Sequence, residues 1–302
     1  MRSRLFRSGF GATVCIAVWA CDEPAATPVV DTDPAMPTAA RQRILDFWQV
    51  YQRATKLRVT GDVAAALARY DSALALNPSH GDALYHSGGA AFHLRDYSTA
   101  ESHWRRLLAV DGSNARAHVQ LGAMYSCGLP GAPVDLAQAR EELVRALAIN
   151  PVATGPQVRL GEIALLQGDT QAATASLEAV RQTNERSVTA HYLGGYLHWQ
   201  AGRLEAAADA LGQATGAAGG GRAEASASAE GQTRRGFRPL LETGDDGLLA
   251  PHWQGRLADF GPVTQATTQT EYDRFHRATD ALRQRFATVE STSGESTRNE
   301  DR

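Results

Sequence analysis

Between Ala39 and about Ala217 the hydrophobic residues recur every three or four positions, the spacing that puts them on one face of an α-helix. The opening run, Ile44, Phe47, Trp48, Tyr51, Ala54 and Leu57, predicts one long amphipathic helix. Beyond it the pattern repeats. Ala66, Ala100, Ala139, Ala173 and Ala207 head matching segments 34, 39, 34 and 34 residues apart, and four residues after each stands a large side chain: Tyr70, Trp104, Leu143, Leu177 and Leu211. A small residue precedes each alanine by 12 positions at Ala54, Gly88, Gly161 and Gly195. At Gly122 the gap is 17, because the third segment carries five extra residues between Ser126 and Val134, including Pro130, Gly131 and Pro133. That insertion is expected to loop out of the helical array. Reversal signals at Gly61-Asp62, Arg95-Asp96, Gly168-Asp169 and Gly202-Arg203 mark the turn between paired helices in four of the five units. The small residue and the alanine then have a common reason. Two helix axes 8–10 Å apart leave no room for bulk where they approach, while the large residue one turn on fills the space between neighbouring pairs.

A unit of two antiparallel helices in 34 residues, found five times in phase, resembles the tetratricopeptide repeat family. The third unit carries the fullest first-helix signature, Leu121-Gly122 followed by Tyr125, and the first unit the fullest second-helix signature, Ala66, Tyr70, Ala73 and Pro78. The units fall at about 39–80, 81–114, 115–153, 154–187 and 188–217. The resemblance implies an all-α, right-handed superhelical solenoid in which stacking supplies the core that no single unit has. It also implies a concave groove lined by the first helix of each unit, which here offers Trp48, Tyr51, Arg58, Tyr85, Phe92, His93, Arg116, Tyr192, Tyr196 and Trp199. Aromatics with an occasional arginine bury large areas at small entropic cost and dominate protein interfaces, so a protein or peptide partner is expected there. Lys56 is the only lysine, so the lysine and asparagine cluster with which some members of this family hold a C-terminal carboxylate cannot form, and an apolar or extended peptide is the better fit.

The flanks have other characters. Arg2, Arg4 and Arg7 precede a mostly apolar run, Phe10 to Ala20, too short to span a bilayer, and together they read as an export signal over residues 1–20. Val18-Trp19-Ala20-Cys21 resembles a bacterial lipobox, which implies a diacylglycerol anchor on Cys21 and a folded part held at an envelope membrane, facing the periplasm. Residues 21–38, with Pro24, Pro28, Pro34 and Pro37, predict an irregular tether. With Cys15 lost in the signal and Cys21 acylated, Cys127 stands alone, and the mature fold is expected to hold by packing rather than disulfides. After the repeats, residues 218–236 read as a Gly/Ala/Ser linker. Residues 237–289 form an apolar segment with an amphipathic helix at 270–289, and residues 290–302 a disordered polar tail.

The formal net charge of −3, from 33 acidic and 30 basic residues with no basic stripe, gives no footprint for nucleic acid. No nucleophile elbow, phosphate-binding loop, zinc-helix motif or Cys-x-x-Cys pair occurs, so no catalytic residue, metal, cofactor or small-molecule substrate is assigned. His86 and His93, like His191 and His198, stand two helical turns apart, about 10 Å, too far to share one zinc unaided. The reading is a non-catalytic interaction scaffold of the envelope. Its rivals are a regulatory or substrate-presenting subunit with a small catalytic element in residues 237–289, and a folding factor for exported chains. The segment around Leu248, Leu249, Pro251 and Trp253 has two expected places: folded back over the concave face, or against the outer helix of the last unit as a solubilising cap.

Overall fold

The structure is a computed structural model that describes residues 37–227, 248–257 and 260–300. The export signal, Cys21 and nearly all of the tether lie outside the described residues, as do residues 228–247. The chain divides into two units, Met1–Leu45 and Asp46–Arg302, and the second holds the site and the helix pairs from Asp46 onward. Among the described residues there is helix and no strand.

Five helix pairs follow one another: α1 (Thr38–Thr60) with α2 (Val63–Leu76), α3 (Gly81–His93) with α4 (Tyr97–Val110), α5 (Ala115–Tyr125) with α6 (Leu136–Ile149), α7 (Thr154–Gln167) with α8 (Thr170–Thr183), and α9 (Val188–Gln200) with α10 (Leu204–Ala227). A 3₁₀ turn at Ala250–His252, a short helix α11 (Gln254–Leu257) and a final helix α12 (Gln265–Glu300) complete the described chain. Two expectations change here. Helix α10 continues through Gly219, Gly220 and Gly221 to Ala227, where composition predicts a linker from residue 218, and α12 has the bounds Gln265–Glu300 where an amphipathic helix is expected at 270–289.

Local chemistry fixes the pairs. In four of them the reversal passes through one residue in the left-handed region, Gly61 at φ 86°, Arg95 at φ 64°, Gly168 at φ 78° and Gly202 at φ 72°. Glycine adopts that conformation without steric cost, whereas Arg95 does so against the preference of its Cβ. An aspartate follows in three of these turns and caps the next helix: Asp62 accepts from the amide of Ala65, Asp96 from Thr99 and Asp169 from Ala172. In the third pair the insertion is closed by a bond from the Asp135 amide to the Tyr125 carbonyl, after which Asp135 caps α6 through the amide of Gln138. Each such cap contributes about 1 kcal/mol.

The recurrent small residues lie where the helices touch. Ala66, Ala100, Ala139, Ala173 and Ala207 are fully buried. A Cβ on Gly88 would run into the indole nitrogen of Trp104, and one on Gly122 would come within 2.7 Å of Leu143, so both backbones are seated directly under the large side chain of their own pair. The fifth pair departs from this. A Cβ on Gly195 would collide with the hydroxyl of Tyr272, a residue of α12. The last helix has entered the slot over the final repeat.

Candidate functional site

The groove-facing residues fall into an N-terminal part that is open and a C-terminal part that the chain itself fills. In the first, α1 presents Trp48 and Tyr51, both half-buried, in an aromatic cluster with Phe47 and the imidazole of His80. Burial, with Tyr70 and Asp82 nearby, pushes the Tyr51 phenol up to about 12. Helix α3 contributes Tyr85, buried beneath the exposed guanidinium of Arg116, which lies over its ring at 3.8 Å. Arg116 also approaches Asp82 at 3.6 Å, and Gln120 donates to the Tyr85 hydroxyl at 3.4 Å. Arg58 is half-buried beside Tyr70. Two adjoining surface depressions of about 450 and 220 Å³ share Tyr85 and Arg116 in their walls. Aromatic and guanidinium surface is therefore accessible here, with no cluster of three metal-ligating side chains among the described residues.

His86 stands one residue beyond Tyr85, stacked on Tyr70 at 5.9 Å. Its Nδ1 is buried without a hydrogen-bond partner among the described residues. Burial, reinforced by Arg58, Arg116 and His80, holds its pKa down at about 3, so the ring is neutral.

Four of the expected groove residues are placed differently. Phe92 turns inward, edge-on to Tyr97 and tilted against Trp104 in its own pair, and so belongs to the core. The helical position is right for the groove, but at that level the apolar stripe of α3 is wide enough to reach α4. Tyr192 and Tyr196 are fully buried and Trp199 half-buried, beneath the C-terminal segment. His93 is exposed in the last turn of α3. Cys127 is half-buried after α5, and burial pushes its thiol up, away from the reactive thiolate.

The C-terminal segment makes polar as well as apolar contacts with these helices. Trp253 stacks on Tyr192, ring centroids 4.6 Å apart and planes within 14°. The Tyr192 hydroxyl donates to Glu271 at 2.9 Å, and the Tyr272 hydroxyl donates to the Tyr192 carbonyl at 3.0 Å. Phe275 stands edge-on to Tyr192 and Tyr196, while His276 bonds the Tyr196 hydroxyl at 2.7 Å and Gln269 accepts from the Trp199 indole at 3.0 Å. Burial, and next the Glu271 carboxylate, drives the Tyr192 phenol far above its ordinary range.

Sequence reasoning missed Glu162. Fully buried on α7 beside Arg159, it accepts the backbone amides of both Leu248 and Leu249, at 2.5 and 2.7 Å. Burial pushes its carboxyl up, and Arg159 and the two amides pull it back. The available signal was the charged pair Arg159 and Glu162 interrupting an otherwise apolar helix, Val158 to Leu166. Farther along α12, Arg283 donates to the carbonyls of Leu165 and Leu166 at the end of α7, and Arg285 to that of Gly128 beyond α5.

A family model described as tetratricopeptide repeat matches residues 51–115 and 158–223. Among solved structures, the crystal structure of MamA protein is 19% identical, covering 59% of this chain and 92% of its own, with a TM-score of 0.50, a likeness in fold. Also similar are YrrB, "a TPR protein with an unusual peptide-binding site" (24% identity, 59% and 90% covered, TM-score 0.46), and TTC0263, a thermophilic TPR protein in Thermus thermophilus (22%, 56% and 89%, 0.42). No curated protein matches the chain.

Proposed function

We propose that this chain, whose residues 51–115 and 158–223 match the tetratricopeptide-repeat model, is a non-catalytic protein-interaction scaffold that takes a partner peptide on the open N-terminal part of its groove. The observation that carries this is the exposed guanidinium of Arg116 seated on the buried ring of Tyr85, with the half-buried Trp48 and Tyr51 and the adjoining depressions beside it. A guanidinium stacked on an aromatic ring keeps one face and its outer N–H groups for a partner, and this combination of side chains contributes most to binding per residue. An apolar or extended peptide fits such a surface. The lipobox-like Val18-Trp19-Ala20-Cys21 supports attachment of the chain to a bacterial envelope membrane through a lipid on Cys21. No described helix is long and apolar enough to cross a membrane itself.

One experiment tests both parts. A photo-crosslinking residue at Val119, which lines the larger depression beside Arg116, should capture one dominant protein in stoichiometric yield from envelope membranes. Arg116→Ala should reduce that yield about tenfold, a loss of about 1.4 kcal/mol. Cys21→Ser should move the chain into the soluble fraction. A smear of many products would contradict the scaffold reading in favour of a folding factor, and membrane retention of Cys21→Ser would contradict the anchor.

A further inference from the structure

The C-terminal segment, residues 248–287, is more than a lid on the last repeat. A solubilising cap need only cover the outer surface of the final pair. Helix α12 does pack on α10, but it continues across α9 to the end of α7, and Arg285 reaches Gly128 in the third unit. It therefore runs from the last pair over the first helices of the fifth and fourth units to the loop that follows α5 in the third. The contacts are also those by which a groove holds a peptide. A buried carboxylate, Glu162, takes two consecutive main-chain amides, an interaction that recognises a chain turn whatever its side chains. Aromatic residues of the segment then fill the space between groove aromatics, with Trp253 on Tyr192 and Phe275 against Tyr196.

The groove side is polar at its tips. Its principal residues, Tyr192, Tyr196, Trp199 and Glu162, each end in a group that water can satisfy when the segment leaves.

We propose that residues 248–287 are an intramolecular ligand, and that the C-terminal part of the groove binds in trans an amphipathic partner helix that presents the same pattern: a turn with two free amides, then an acid and an aromatic followed three residues later by a second aromatic, as in Glu271, Tyr272 and Phe275. This rests on reading the repeat groove as a peptide-binding surface, but concerns a different part of it from the Arg116 patch. The 20 residues 228–247 join the segment to α10 and keep it at an effective concentration on the order of millimolar, so a partner must compete with a covalently attached rival. Its apparent affinity is reduced by the fraction of molecules whose groove is open.

The test uses the full chain and a fluorescein-labelled synthetic peptide of residues 248–287. Trp253→Ala with Phe275→Ala weakens the attached segment and leaves the groove side unaltered. This variant should bind the labelled peptide at least tenfold more tightly than the unmodified chain, and adding Tyr196→Ala should remove the gain. Equal affinity in the two proteins, or a gain that survives Tyr196→Ala, would overturn the proposal. If the double variant lacks a cooperative thermal transition, Arg283→Ala with Arg285→Ala takes its place. That pair is expected to give a gain of about threefold, and no gain would likewise overturn the proposal. The peptide is the chain's own, so the result stands whether or not the Arg116 patch captures an external partner.

Discussion

Trp104→Ala is expected to lower the stability of the folded chain by about 3–5 kcal/mol, the range for truncating a large buried aromatic. Trp104 is fully buried where α3 and α4 approach. Its indole lies directly against the backbone of Gly88, tilts toward Phe92, and donates through Nε1 to the Tyr85 carbonyl at 3.3 Å. Removing it leaves a cavity that α3 cannot close, because the helix is also held by its neighbours on both sides. It also strips a hydrogen bond from the backbone that positions Tyr85. In stacked repeats stability is carried by units and by the interfaces between them, so the loss is expected to loosen the first and third pairs too. Urea denaturation followed by circular dichroism measures it. A loss below about 1 kcal/mol would mean that the indole is not the keystone of the second pair.

The second large effect is on pH dependence. In the folded protein His86 is held at about 3 by burial and by Arg58, Arg116 and His80, against 6.5 for a solvated imidazole. The groups facing it are Arg58 from α1, Tyr70 from α2, Tyr85 and His80 on its own side, and Arg116 from α5. Since the folded ring resists the proton, the unfolded chain binds more protons over this interval. Stability from His86 is complete above about pH 6.5 and is lost as the pH falls through the interval down to about 3. One proton is worth about 1.4 kcal/mol per pH unit, so about 3 kcal/mol should disappear by pH 4.5. His80 and His103, also depressed by burial, act in the same direction. In His86→Gln the drop in urea midpoint between pH 7 and pH 4.5 should shrink accordingly. An unchanged drop would mean that the folded ring accepts its proton at the ordinary pKa.

The repeat architecture can be read in the sequence because its rules are local. The alanines at 34-residue spacing, the glycines beneath Trp104 and Leu143, and the Gly-Asp reversals each answer to one steric demand within one pair. Even Arg95, which lacks the freedom of glycine, stands at the left-handed position that its neighbouring Asp96 marks. The end of α10 is less legible, since three consecutive glycines signal a linker by composition. The alanines around them, Ala217, Ala218 and Ala223, favour helix, and here helix continues.

Within the groove, the accessible residues Trp48, Tyr51 and Arg116, with Tyr85 buried beneath Arg116, follow from their place on the first helices. Phe92 does not, because the face it shows depends on the rotation of α3 against α4 rather than on spacing along α3. Tyr192, Tyr196 and Trp199 share one face, as their spacing requires, but what covers that face is 80 residues away for Tyr196 and His276, and no periodicity carries such a pairing. Glu162 is hidden for the same reason: a buried carboxylate is understandable only once the two amides that it accepts are known.

Hydroxyl-radical footprinting of the intact chain tests most directly the claim that this groove is half open and half self-occupied, because it reads side-chain accessibility residue by residue. Tyr192, Tyr196 and Trp253 should be oxidised as slowly as the core residue Trp104, while Trp48 reacts faster in the same sample. Oxidation of Tyr192 and Tyr196 at the rate of Trp48, with Trp104 still protected, would contradict the account.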